Sequence, residues 1–150
     1  MGNCQENPRG DRKVGFIRHG SRLDRSAHNY AIVFMMNIQP FDVERPWGSF
    51  RQFTKNTPVT VKILSLKPHQ QFSLQSHTKR EEFWRILSGD GKSEINDTSR
   101  KIQTGEELVV PLGAKHRLSA GEEGLEVLEI SSGDFDEEDV SRYEDAYGRV

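Results

Sequence analysis

This chain cannot form a disulfide within itself, because it holds a single cysteine, Cys4, and one thiol has no partner. Nothing therefore points to an oxidising compartment, and the cytoplasm is the simpler expectation. Long hydrophobic runs are also missing. The longest, Ala31 to Met36, falls far short of the roughly 20 residues of a membrane helix and below the roughly 7 of a signal-peptide core. No membrane partner is expected. The opening "MGNCQE" resembles a myristoylation signal, but Glu6 stands where that pattern needs Ser or Thr, so no lipid is expected either. A dominant charge sign is absent as well: 21 Lys and Arg face 23 Asp and Glu, which gives no electrostatic reason to expect nucleic acid.

What is present is unevenly arranged. Met1 to Met35 carries six basic and three acidic residues, Met36 to Ile130 thirteen of each, and Ser131 to Val150 two against seven. The first block has no apolar period of 2 or 3.6, so residues 1–35 are expected to be a disordered arm. Met35 and Met36 stand at its end, which makes a start there an alternative. Residues 36–150 are expected to fold as one domain. They read as short strands between turn signals: "VTVKILSL" from Val59, "QFSLQSH" from Gln71, "EFWRILSG" from Glu82, a hairpin turn at "SGDGK", then "SEIN", "EELVVPLGAKHRLSA" and "LEVLEISSG". About eight strands with almost no helix argue for a small antiparallel barrel. Only "FDEEDVSRYEDAYG" has helical spacing, with Asp136 as candidate cap of a short C-terminal helix.

Alternation along strands brings polar residues together. Ser73, Gln75 and His77 share one face, and Glu82, Trp84 and Ile86 share a face of the next run. A turn over Thr78–Glu81 lets the two faces meet. An amide oxygen, an imidazole and a carboxylate inside a barrel need partners, and one divalent cation serves all three. His116, after the Pro111-x-Gly113 turn, is the candidate fourth ligand. Taken singly, each of these residues is more often a surface or satisfied polar side chain than a ligand; their joint spacing points to metal. Two oxygens and two nitrogens are compatible with zinc, manganese, cobalt, iron or nickel, with no cysteine among them to favour zinc; zinc is the first expectation.

The spacings Gln75-x-His77, four residues, Glu82, six residues, Gly89, and then Gly105, five residues, Pro111-x-Gly113, two residues, His116 resemble the two cupin motifs. With "RPWGSF", "FSLQSH", "FWRILSG", "VPLGAKHRL" and "SRYEDAYGR", the chain from about Glu44 to Arg149 resembles the cupin-type (type II) phosphomannose isomerase, which also occurs as the C-terminal domain of bifunctional mannose-1-phosphate guanylyltransferases. Departures are His69 in place of the usual glycine, Ala120 in place of Asn, and "SHTKREEFW" where the family often has "MHHHRAEHW".

The resemblance implies an all-β cupin, a double-stranded β-helix or jelly-roll barrel, that binds one divalent metal and interconverts mannose 6-phosphate and fructose 6-phosphate. The expected ligand is a small sugar phosphate, and family habit makes a homodimer the expected assembly. No Gly-rich nucleotide loop accompanies the cupin motifs, so nucleotidyl transfer by this chain is not expected. Gln75, His77, Glu82 and His116 are the implied metal ligands. Lys62, on the parity of Leu64 and Leu66, and Arg142, whose fork suits phosphate, are the implied catalytic residues. Trp47, Lys115, Tyr147 and Arg149 are the implied substrate contacts, Trp47 by stacking on a sugar ring and Tyr147 and Arg149 by folding over the barrel mouth. The general base is not identified. The alternatives are a cupin that binds a sugar phosphate or nucleotide sugar without turnover, and another metal-dependent cupin enzyme.

Overall fold

Alternating and β-branched runs become strands wherever one face can be buried. The computed structural model describes residues 38–149, and the expected arm, 1–35, lies outside them. The described residues form nine strands: β1 (Phe41–Arg45), β2 (Gly48–Gln52), β3 (Val59–Leu66), β4 (Leu74–Ser76), β5 (Arg80–Ile95), β6 (Thr98–Gln103), β7 (Glu107–Val110), β8 (His116–Gly133) and β9 (Ser141–Glu144). β1 and β2 make a hairpin of their own, and the other seven make one sheet. β8 is its hub, pairing antiparallel with β3, β4 and β5; β6 and β7 pair β5, and β9 pairs β4. The expected all-β class holds among the described residues.

Three local expectations are corrected. Ser88–Lys92, expected as a hairpin turn, is the middle of β5, which crosses it through register shifts between Ile86 and Ser88 and between Gly89 and Gly91. A Cβ at Gly89, whose φ is +82°, would collide with the Gly124 carbonyl, and one at Gly91 with the Ser119 carbonyl. These glycines thus let two strands approach closely rather than reverse the chain. Gln75 and Glu82 do not sit on a hairpin either: β4 pairs β8 and β9, not β5.

The expected C-terminal helix is absent, and strand β9 stands in its place. The Asp136 carboxylate accepts the Glu138 N–H at 2.9 Å within a turn instead of capping a helix. The free edge of β4 decides this outcome, since its backbone groups need partners that a strand supplies and a helix cannot. The Ser76 and Tyr143 hydroxyls, 3.0 Å apart, and the Arg117–Glu144 ion pair at 2.9 Å hold the register.

The interior parity of β5 and β8 carries Trp84, Ile86, Leu125 and Val127, packed with Leu66, Leu108 and Leu118. The opposite parity buries Phe83 and Ile130 against Ile38 and Phe53. Each fully buried aliphatic on such a face stabilises the fold by about 1.5–3 kcal/mol. Polar residues on the interior parity forgo that gain, so their presence there calls for a chemical reason. The β1–β2 hairpin is tied to β7 by Arg51, whose Nε and Nη2 donate to the two oxygens of Glu107 at 2.8 and 2.7 Å.

Candidate functional site

His77, Glu82 and His116 are such residues, and each is at most 3% exposed. His116 opens β8 opposite Gln75 of β4. The turn before it is tied to the neighbouring ligand, because the Gly113 N–H donates to the His77 carbonyl at 2.9 Å. Glu82 comes from β5. One potential ligand atom from each of the three lies within 4.8 Å of the others.

The hydrogen bonds fix both tautomers. His116 Nδ1–H donates to the Ala114 carbonyl at 2.9 Å, and His77 Nδ1–H to the Asp139 carbonyl at 2.5 Å. Each ring therefore presents Nε2 as a lone pair. Burial pushes the His116 pKa down to about 4 and lowers that of His77, so both rings are neutral at pH 7. His116 Nε2 is buried with no hydrogen-bond partner and lies 3.7 Å from Glu82 Oε2. His77 Nε2 is 3.2 Å from Glu82 Oε1. Two neutral imidazoles, an orphaned lone pair and a carboxylate fit a divalent cation.

Arg80 belongs to this cluster too. The sequence reading put it in the turn over Thr78–Glu81, yet it is the buried first residue of β5. Its Nη2 donates to His77 Nε2 at 3.0 Å, its Nε to Glu82 Oε1 at 3.1 Å and its Nη1 to the Asp136 carbonyl at 2.9 Å. His77 Nε2 has one lone pair, so this contact and a metal bond at that atom exclude each other. Asp139 braces the turn from outside, accepting the Thr78 and Lys79 N–H groups at 3.0 and 2.9 Å.

A cavity of about 510 Å³ reaches Glu82 and Arg80 of this cluster, while His77 and His116 lie behind them, outside its lining. Of the expected site residues, Lys62, Gln75, Glu82, Tyr147 and Arg149 line it. Gln75 Oε1 accepts the Ser73 hydroxyl at 2.9 Å. Lys62 donates to Glu137 at 2.6 Å and stands 4.2 Å from the Phe135 ring centroid. The Tyr147 hydroxyl reaches Gln70 Oε1 at 2.9 Å. Three expected residues lie elsewhere. Trp47 is 72% exposed at the tip of the β1–β2 hairpin and stacks on Phe50; Lys115 covers the outside of Tyr143 at 4.1 Å; Arg142, on β9 opposite Gln75, is exposed and outside the lining.

The sequence reading also missed Glu129, which lines the cavity at 7% exposure. Its signal was the one that found Glu82, a carboxylate on the interior parity, here with Leu125, Val127 and Ser131. Burial first, and the Glu82 carboxylate second, push its pKa up to about 7. Between its ordinary value of 4.5 and about 7 the folded chain therefore binds the extra proton, and stability falls as pH rises through that window. The buried neutral histidines act in the opposite sense below about 6.5, so the informative comparison is with a variant at each pH. Glu129→Gln is expected to match wild type in metal-free urea unfolding at pH 5 and to exceed it by on the order of 2 kcal/mol at pH 8. An equal difference at both values would show that Glu129 does not titrate in this window.

Residues 36–145 match the family described as Mannose-6-phosphate isomerase C-terminal. Mannose-1-phosphate guanylyltransferase ManC of Salmonella typhimurium is 36% identical over 111 residues, 73% of this chain and 23% of that protein. A mannose-1-phosphate guanylyltransferase of Klebsiella pneumoniae is 36% identical over 138 residues, 91% of this chain and 27% of that protein. The chain thus spans about a quarter of the length of these relatives. Among solved structures, oxalate decarboxylase from Bacillus subtilis superposes with a TM-score of 0.52 and 26% identity, over 56% of this chain and 23% of that one. The capsular polysaccharide assembling protein CapF from Staphylococcus aureus superposes with a TM-score of 0.51 and 18% identity, over 71% of this chain and 33% of that one, a likeness of fold alone. The match over residues 36–145 and the cupin fold lead to one assignment: the chain belongs to the mannose-6-phosphate isomerase C-terminal family.

Proposed function

We propose that this chain is a metal-dependent aldose–ketose isomerase that interconverts mannose 6-phosphate and fructose 6-phosphate. The observation that carries the reading is the meeting of two neutral imidazoles with the Glu82 carboxylate, which itself lines a cavity that also holds cationic side chains. The family description supplies the substrate class.

His77, Glu82 and His116 would hold the ion, with Gln75 as a fourth donor once its amide oxygen leaves the Ser73 hydroxyl. A divalent cation there supplies Lewis-acid stabilisation of negative charge developing on the sugar oxygens. The chain's own residues do the rest. Arg149 and Lys62 offer cationic groups to the phosphate, and burial of the polar cluster keeps the dielectric low where charge develops. The hydrogen bonds from His77 to Asp139 and from His116 to Ala114 fix ring orientation before any ligand arrives.

The test is a coupled assay of fructose 6-phosphate formation from mannose 6-phosphate, with the chain loaded in turn with zinc, manganese, cobalt, iron and nickel. Turnover is expected with at least one metal and none after chelation. Binding of mannose 6-phosphate without turnover for every metal would transfer the chain to the class of non-catalytic sugar-phosphate binders.

A further inference from the structure

Isomerisation needs a group that removes a proton from carbon, and none of the metal-binding side chains is free to do it. Glu82 is engaged by Arg80, whose Nε donates to Oε1 at 3.1 Å. The Nδ1–H of each histidine is tied to a backbone carbonyl. Lys62 is ion-paired with Glu137, which is 74% exposed. Among the described residues that line the cavity, Glu129 is the buried carboxylate left outside every ion pair closer than 4 Å. One of its oxygens accepts the Ser131 hydroxyl at 3.2 Å, which sets the orientation of the carboxylate and leaves the other oxygen for a ligand. Its strand neighbours are Lys62 on β3 and Trp84 on β5. The charged groups facing it are thus Lys62 from one side and Glu82, one interior position along β5, from the other.

We propose that Glu129 is the proton-carrying catalytic residue, moving a proton between C2 and C1 of the open-chain hexose 6-phosphate; the assignment rests on the isomerase reading above. The Glu129 carboxylate takes the C2 proton, the C–H electron pair becomes the C1–C2 double bond, and the carbonyl π pair moves onto O1 as an enediolate. The O2 hydroxyl proton passes to O1. Glu129 then returns its proton to C1 as the O2 electron pair re-forms a carbonyl at C2. Atoms and electrons balance, no co-reactant is consumed, and the carboxylate is regenerated. A carboxylate suits this task because it lines the cavity, is held in orientation by Ser131 and stands in no ion pair that would occupy it.

Glu129→Gln and Glu129→Asp, made in the full chain, separate this role from a structural one. Gln keeps shape and hydrogen bonding but cannot accept the proton; Asp keeps the chemistry at a shorter reach. Metal content by elemental analysis and mannose 6-phosphate affinity by calorimetry are expected to stay within about threefold of wild type in both. In Glu129→Gln, kcat is expected to fall by about 10²–10⁴, and deuterium from heavy water should no longer enter the carbon-bound positions of the recovered sugar phosphate. Glu129→Asp should recover part of both signals. Turnover by Glu129→Gln within tenfold of an active wild type, or loss of metal from it, overturns the catalytic role and leaves the isomerase reading standing. A wild type that never turns over overturns the isomerase reading and this role with it.

Discussion

His116→Ala is expected to release the metal and with it all turnover, and His77→Ala to do the same by a different route. His116 presents a buried Nε2 with no other partner, so its loss removes a donor that nothing nearby replaces, and water enters beside Trp84, whose ring centroid lies 5.4 Å from the imidazole. His77 shares its Nε2 with Arg80. Its loss leaves Arg80 held by Glu82 and the Asp136 carbonyl, a cation seated on the remaining carboxylate of the cluster. Both variants should bind zinc or manganese at least 100-fold more weakly, beyond the 10- to 100-fold cost of losing a group that merely orients a ligand. A readout apart from activity follows by linkage: metal at one hundred times its Kd stabilises wild type by about 2.7 kcal/mol. The corresponding rise in Tm should vanish in both variants at the same metal concentration. Full metal occupancy in both would remove these histidines from the ligand set.

The His77, Glu82 and His116 cluster was legible because strand parity is a strict period of 2, and a polar side chain on an apolar parity is visible without coordinates. The same rule exposes Glu129, a carboxylate on the interior parity of β8 that belongs to neither motif spacing. Arg80 was hidden for a different reason. A run such as Thr78-Lys79-Arg80-Glu81 looks solvated, and only the position where β5 begins turns one of its members inward. Ser88–Lys92 was misread because glycine serves both reversal and close strand approach, and which one applies depends on the Gly124 and Ser119 carbonyls of a strand some thirty residues away. The tail reads as helix by local spacing, but the edge of β4 is a tertiary demand that local spacing does not encode. The hairpin carrying Trp47 is similar: its position on β7 depends on the Arg51–Glu107 pair, far apart in sequence.

Ending the chain after Glu144 is expected to spare the barrel and the metal while sharply weakening use of the sugar phosphate. β9, the Asp139 carbonyl that fixes His77 and the Arg117–Glu144 pair all remain, so neither fold nor ligand geometry depends on what is removed. What goes is Tyr147, which bridges to Gln70 and Gln71, and Arg149, both on the cavity wall. Asp145 accepts Arg149 Nε and Nη2 at 3.1 and 2.6 Å. The other edge of the guanidinium, with N–H groups on Nη1 and Nη2, is left for phosphate oxygens. A hydrogen bond to a charged group contributes about 1.5–3 kcal/mol, and each 1.4 kcal/mol is tenfold, so kcat/KM should fall by roughly 10- to 150-fold, most of it through KM. Arg149→Lys should fall between, since an ammonium keeps the charge and loses the fork. Arg142→Ala, on a residue outside the cavity lining, is the control: a larger loss there than in Arg149→Ala would move the phosphate anchor to β9. Unchanged kcat/KM in the shortened chain, with metal content measured on the same samples, would leave Tyr147 and Arg149 as wall residues without a part in substrate binding.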